Sequence, residues 1–96
     1  RRDSRKIRRL QPLWRDLTGA IPGIVLHERP DEAARYRLYR MVVEIRDALT
    51  QLRLDVPCGA DVESELENLL ALARDWPTDP RYRDLRRRIH PTADLR

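Results

Sequence analysis

Ninety-six residues predict one small domain with a thin hydrophobic core. Apolar residues make up 41% and charged residues 38%, and with only three glycines this composition favours amphipathic helices. No apolar run approaches the roughly 20 residues of a membrane-spanning helix, and a single cysteine, Cys58, excludes an intrachain disulfide.

The net charge of +4 is unevenly distributed along the chain. Residues 1–10 carry a net charge of +5, residues 11–80 a net charge of −5, and residues 81–96 a net charge of +4. The basic character therefore belongs to the two ends. For this reason the isoelectric point of about 10.0 does not describe the surface as a whole.

The first of four predicted helices begins at Asp3 or Ser4, either of which can serve as its N-cap, and extends to 17 or 20. Pro12 interrupts this pattern, since proline removes a backbone donor and clashes with the preceding turn. We therefore expect either a kink there or a helix proper that starts near Gln11.

The second predicted helix has the clearest pattern of the four. It runs from Glu32 to Leu52, after a connection at 22–30, with Asp31 as its N-cap. About 21 residues at 1.5 Å each would cross a small domain, so we expect this helix to be long and central. Apolar positions cover a wide face of it, and the spacing predicts that Tyr36 and Tyr39 pack in the core.

The third predicted helix covers 61–76, with an apolar stripe that begins at Val62, and the fourth covers 81–90. Residues 92–96 are expected to fray. The fold class is therefore all-α, a compact bundle of three to four helices that forms a single domain over 1–96.

The sequence offers no recognisable catalytic or metal-binding arrangement. His27, Cys58 and His90 are scattered over three different connections or ends, whereas a zinc site needs about four ligands at suitable spacing. An enzyme would require a pocket that joins His27, Cys58 or Glu44. We expect neither an enzyme nor a cofactor, and we interpret the carboxylates of the third helix as a solvated acidic face.

The basic N-terminal run is the charge feature with the sharpest functional interpretation. Its cations are Arg1, Arg2, Arg5, Lys6, Arg8 and Arg9. They can contact nucleic-acid phosphates or the anionic headgroups of an inner leaflet, and the remaining alternative is a merely solvated helix end. The acidic middle of the chain argues against nucleic acid, and Arg86, Arg87 and Arg88 join this patch only if the fourth helix folds beside the first.

A second candidate surface lies on the second and third helices. The second helix contributes the basic residues Arg35, Arg37 and Arg40, and the third contributes the acidic residues Glu63 and Glu67. Arg40 and Glu44 are four residues apart and can pair, a contact that contributes about 0.3–0.5 kcal/mol on an exposed helix. A thin core also makes self-association, as a homodimer, plausible.

Two strings carry a resemblance to a known family: LQPLWRDLT at 10–18, closing at Ile21 and Pro22, and RYRLYRMVVEIRD at 35–47. They resemble the C-terminal domain of an uncharacterised actinobacterial multi-pass membrane-protein family, commonly labelled as transporters. The likeness spans about 8–53. It implies a bundle of transmembrane helices ahead of this domain, which would lie in the cytoplasm, but it supplies no activity.

The expected function is that of a non-catalytic regulatory or protein-interaction domain at the cytoplasmic face of a membrane. In this interpretation residues 1–9 form a basic juxtamembrane segment, and they contact the anionic membrane surface. The missing initiator methionine fits a segment of a larger protein. The alternative is a small helical nucleic-acid-binding domain that uses both basic ends.

Overall fold

The computed structural model describes residues 2–25 and 32–89. Within these ranges the chain forms four α-helices: α1 (Arg2–Ala20), α2 (Ala34–Gln51), α3 (Val62–Arg74) and α4 (Pro80–Ile89). Two short 3₁₀ turns, Pro22–Ile24 and Trp76–Thr78, complete the described secondary structure, which contains no strand. The prediction of an all-α fold with four helices is confirmed, whereas the predicted Asp31 cap and the 92–96 tail lie outside the described residues.

Helix α1 is continuous through Pro12, which is exposed. Of the two predicted alternatives, a helix proper that starts near Gln11 is therefore wrong, and a kink at Pro12 stays a prediction. Asp3 and Ser4 are not N-caps, because the helix already begins at Arg2. Burial explains the continuity: an internal proline costs about 3 kcal/mol, whereas each fully buried leucine on the inner side of α1 contributes about 1.5–3 kcal/mol.

The inner side of α1 supplies much of the core. Its buried apolar residues are Ile7, Leu10, Leu13 and Leu17. They pack against both α2 and α3. Helix α1 has 19 residues and α2 has 18, so the predicted long, central second helix is not confirmed.

Helix α1 and helix α3 run in the same direction. Lys6 of α1 and Leu66 of α3 line one depression near the N-terminal ends of both helices. Near the other ends, the indole Nε1 of Trp76 donates a hydrogen bond of 2.8 Å to Oδ2 of Asp16.

Helix α2 buries a narrower face than its apolar pattern predicted. Tyr36 is 69% exposed and Tyr39 39% exposed, so the prediction that they pack in the core is wrong. The other part of the predicted wide face is buried, through Leu38, Met41, Val42, Ile45, Ala48 and Leu49. Two apolar stripes satisfy the same helical period, and only the neighbouring helices select between them.

The C-terminus of α2 ends in a Schellman motif. The amide of Leu54 donates to the carbonyl of Leu49 (2.9 Å), and the amide of Arg53 donates to that of Thr50 (3.1 Å). Arg53 occupies the left-handed position with φ of 56°, where glycine is usual. A side chain in this conformation costs about 1–2 kcal/mol.

We expect Arg53→Gly to raise the free energy of unfolding by about 1 kcal/mol, because glycine adopts the left-handed conformation without that cost. Urea denaturation followed by circular dichroism measures the change. Gln51→Gly, two residues earlier within α2, is the matched control and should lower the same quantity by about 0.5 kcal/mol. Destabilisation by both substitutions would contradict the assignment of strain to Arg53.

Helix α3 begins at Val62, one residue later than predicted, and Asp61 is its N-cap. Oδ1 of Asp61 accepts a hydrogen bond from the amide of Ser64 (2.8 Å) and one from its hydroxyl (2.6 Å). The side-chain hydrogen bond from Ser64 is the main reason that the pKa of Asp61 lies below its ordinary value. Val62, predicted to start the buried stripe, is 53% exposed, so that prediction is wrong.

The 3₁₀ turn after α3 buries Trp76, which had been predicted to end that helix. The indole is only 1% exposed, and its ring meets Tyr82 of α4 edge to face, with 5.5 Å between the ring centroids. This aromatic pair and the buried Leu85 attach α4 to the hydrophobic core.

Candidate interaction surfaces

Five basic residues at the start of α1 form what we call the basic α1 surface: Arg2, Arg5, Lys6, Arg8 and Arg9. All are exposed except Lys6, which is half-buried. They project from α1 around and opposite its buried apolar stripe, so tertiary packing leaves their charges accessible to a ligand. Arg1, the sixth predicted cation, lies outside the described residues.

Helix α2 adds a further cation beside this surface. Arg2, Lys6 and Arg35 line a depression of about 310 Å³, together with the carboxylates of Asp3 and Glu63. Arg35 belongs to the first turn of α2, where the helix dipole is positive. The N-terminal ends of α1 and α2 thus combine into one electropositive end of the domain.

The arginines of α4 do not extend the basic α1 surface. An Nη1 hydrogen bond joins Arg88 to the carbonyl of Leu52, and Nε of Arg81 donates to the carbonyl of Asp55 at 2.7 Å. These bonds place α4 beside the C-terminal end of α2. At 1.5 Å per residue, that end lies about 26 Å from the N-terminal end of α2. The condition under which Arg86, Arg87 and Arg88 would join the basic α1 surface therefore has no support in the packing of α4.

The residues of the predicted partner surface are only partly brought together. Arg35 and Glu63 border the same depression, and Glu67 is exposed on the outer side of α3. Arg37 is half-buried. Arg40 faces inward, with only 10% of its side chain exposed, and is engaged by carboxylates within the domain.

Arg40 belongs to a buried polar network that the sequence only hinted at. Its guanidinium donates to both carboxylate oxygens of Glu32, at 3.2 and 2.9 Å, and to Oε2 of Glu44 at 3.1 Å. The other oxygen of Glu44 accepts the indole Nε1–H of Trp14 at 2.6 Å. The hydrogen bond to Glu32 is the foremost reason that the pKa of Arg40 is raised.

This network ties α1 to α2 through a charge inside the core. Glu44 is 1% exposed, so the expected pair of Arg40 with Glu44 is confirmed as a contact but lies in the interior rather than on a helix surface. Trp14 lies 30 residues away in sequence. No periodicity in the chain indicates that contact.

A second arginine fastens the connection between α2 and α3. Arg46 makes a two-pronged ion pair with Glu65, at 2.6 and 2.7 Å, and donates to the carbonyls of Val56 and Pro57 at 3.0 Å each. The hydrogen bond to Glu65 is the largest cause of the raised pKa of Arg46. The amide of Gly59 also approaches Glu65, with 3.4 Å from N to Oε1.

An exposed row crosses the outer side of α2, which we call the α2 ridge: Arg35, Tyr39, Val43 and Asp47. Its members are four residues apart, so they follow one another along the helix surface. All four are exposed. Beside the ridge, Val42, Val43 and Val62 line a shallow apolar groove of about 460 Å³ between α2 and the start of α3.

The described part of the chain shows no recognisable catalytic or metal centre. Cys58 is exposed and unpaired. Within 2–25 and 32–89, no group of three or more histidine, cysteine or acidic side chains is placed to hold a metal ion. His27 and His90 lie outside those ranges, so the expected absence of an enzyme activity and of a cofactor stays a prediction.

The fold and the surfaces define a small all-helical domain with a basic end and an exposed ridge, and none of the described helices is long and apolar enough to cross a bilayer. The chain belongs to DUF6545, a family of unknown function, whose sequence profile matches residues 1–64. No curated protein and no solved structure matches the chain.

The family match covers α1, α2 and the connection that leads into α3. It therefore includes the basic α1 surface, the buried network around Glu44 and the whole α2 ridge. The description of the family states no activity, source or location. The resemblance to an actinobacterial membrane-protein domain accordingly stays a prediction.

Proposed function

We propose that this chain is a non-catalytic regulatory and protein-interaction domain that sits at the cytoplasmic face of a membrane, as part of a membrane protein. The basic α1 surface contacts anionic lipid headgroups, and α2 faces a protein partner. The observation that carries the proposal is the exposure of Arg2, Arg5, Arg8 and Arg9 on one helix end. Cations beside a membrane segment are typical of the cytoplasmic side.

Helix direction supports this orientation. The N-terminal end of α2 lies beside that of α1, so the positive ends of two helix dipoles add to the charges of Lys6 and Arg35. The arginines of α4 lie towards the other end of α2. A single flat anionic surface fits this one-ended charge better than a duplex, which a protein usually engages with a broad basic face.

Removing three cations from the basic α1 surface should weaken binding to anionic vesicles by about 100-fold, because each contributes about 1 kcal/mol near a charged bilayer. The variant is Arg5→Ala, Arg8→Ala and Arg9→Ala, measured by co-sedimentation with phosphatidylglycerol vesicles at low salt. The matched control is Arg83→Ala, Arg86→Ala and Arg87→Ala. It removes the same charge from exposed positions of α4 and should change binding by less than about threefold.

Equal losses in the two triple variants would overturn the proposed orientation, because binding would then follow net charge alone. Failure of the unaltered chain to bind anionic vesicles would overturn the membrane contact itself. Duplex DNA binding that is steeply salt-dependent and requires both sets of arginines would instead establish the nucleic-acid alternative.

A further inference from the structure

The α2 ridge carries a charge and apolar order that is complementary to itself when reversed. From its N-terminal to its C-terminal end it presents a cation, an aromatic ring, an aliphatic side chain and an anion: Arg35, Tyr39, Val43 and Asp47. Tyr39 is 39% exposed and Val43 is 50% exposed. Large apolar side chains left open between two opposite charges indicate a surface made for contact.

We propose that the α2 ridge binds the α2 ridge of a second copy of this chain, with the two helices antiparallel about a twofold axis between Tyr39 and Val43. Arg35 and Asp47 lie equally far from that axis, as do Tyr39 and Val43. Arg35 therefore meets Asp47 of the second copy, and Tyr39 meets Val43 of the second copy. The twofold axis makes each of these contacts occur twice.

Charge complementarity selects this occupant and this direction. A parallel pairing of the two ridges would place Arg35 against Arg35 and Asp47 against Asp47, and like charges in contact are destabilising. A uniformly acidic partner would leave Asp47 opposed by a like charge. The antiparallel copy is the arrangement that pairs both ends of the ridge with opposite charges.

The surroundings of the ridge provide room for the aromatic ring. Val42, Val43 and Val62 line the neighbouring groove, and two of the charged residues that border it, Arg46 and Glu65, are paired with each other. Tyr39 of the second copy lies against Val43 at the edge of this groove. Rows of residues four apart that pack alongside each other cross at about −50°, so the contact is local and does not extend along the whole helix.

This inference names a second copy as the protein partner in the proposed function, and it rests on that function only in assigning α2 to protein contact. It is tested without lipid, so its failure is distinguishable from failure of vesicle binding. One short ridge buries little area, and we expect a dissociation constant between about 10 µM and 1 mM. Sedimentation equilibrium of the 96-residue chain across that range measures it.

Charge reversal supplies the decisive variants. Arg35→Asp alone and Asp47→Arg alone each bring like charges together twice in the dimer, and each should weaken it by at least about tenfold. The double variant restores opposite charges at both contacts and should return the dissociation constant to within about threefold of the original. Glu67→Arg changes the charge by the same amount as Asp47→Arg, at an exposed position on α3, and should leave it unchanged.

Thermal unfolding at low concentration shows whether the variants keep their fold, as expected for changes at exposed positions. A chain that is monomeric across the whole range overturns the proposal. So does a dimer that tolerates both single reversals, or one that the double reversal fails to restore, because another surface would then hold the copies together.

Discussion

We expect Glu44→Ala to lower the free energy of unfolding by about 3–5 kcal/mol, the usual loss when one partner of a buried ion pair is removed. The carboxylate is 1% exposed and accepts from both Trp14 and Arg40. Its loss leaves the indole N–H inside the domain without this acceptor, weakens the hold on the guanidinium, and opens a cavity between α1 and α2. Urea denaturation monitored by circular dichroism at 222 nm measures the change.

Glu44→Gln removes the charge of the side chain but keeps its size and shape. The amide keeps an oxygen for the indole of Trp14 and fills the same volume, so we expect a smaller loss of about 1–3 kcal/mol. Glu67→Ala is the control, because an exposed carboxylate on α3 should matter by less than about 0.5 kcal/mol. If Glu44→Ala were as mild as Glu67→Ala, the network would be incidental to the fold.

Gly59→Ala is expected to destabilise the domain by about 3 kcal/mol, at the upper end of overpacking effects. A Cβ atom at this position would lie 2.2 Å from the amide nitrogen of Glu65 and 2.5 Å from the carbonyl carbon of Ser64. Both are backbone atoms in the first turns of α3, so no rotamer change relieves the clash. The connection would have to move, and with it the amide of Gly59 that approaches Glu65.

Gly19→Ala is expected to stabilise the same chain. Gly19 lies inside α1, and its Cβ would have no described atom within 4 Å apart from its chain neighbours and the backbone of its own helix. Alanine there should raise the free energy of unfolding by about 0.5–1 kcal/mol, because glycine loses more backbone entropy in a helix. Thermal melts of the two variants side by side test the pair, and a Gly59→Ala variant as stable as the unaltered chain would contradict the close approach.

Much of the local structure was predictable from the spacing of apolar residues. The pattern of Ile7, Leu10, Leu13 and Leu17 marks the side of α1 that is buried, and the pattern in α3 marks Leu66, Leu69 and Leu70. Apart from the alternative start of α1 near Gln11, the predicted helix boundaries differ from the observed ones by three residues or fewer, since caps and prolines act within one turn. The basic N-terminal run was equally visible, because charge follows directly from composition.

The prediction for α2 shows where this reasoning stops. Its tyrosines lie at helical spacing, yet Tyr36 and Tyr39 are exposed, whereas the charged Glu44 is buried. Hydrophobic spacing alone predicts that the two tyrosines are buried and that Glu44 is exposed. Glu44 is stable in the core because Trp14 and Arg40 bond it there, and the first of these partners comes from another helix.

The sequence by itself determined that this chain is helical and that its cations gather at the two ends. These properties depend on residues within a few turns of one another, which the helical repeat brings together. Only the tertiary structure decided that α1 and α3 run in the same direction, that Arg40 and Glu44 are internal, and that the α2 ridge is left uncovered. Those outcomes depend on contacts between residues tens of positions apart. A local sequence pattern does not predict the energies of such contacts.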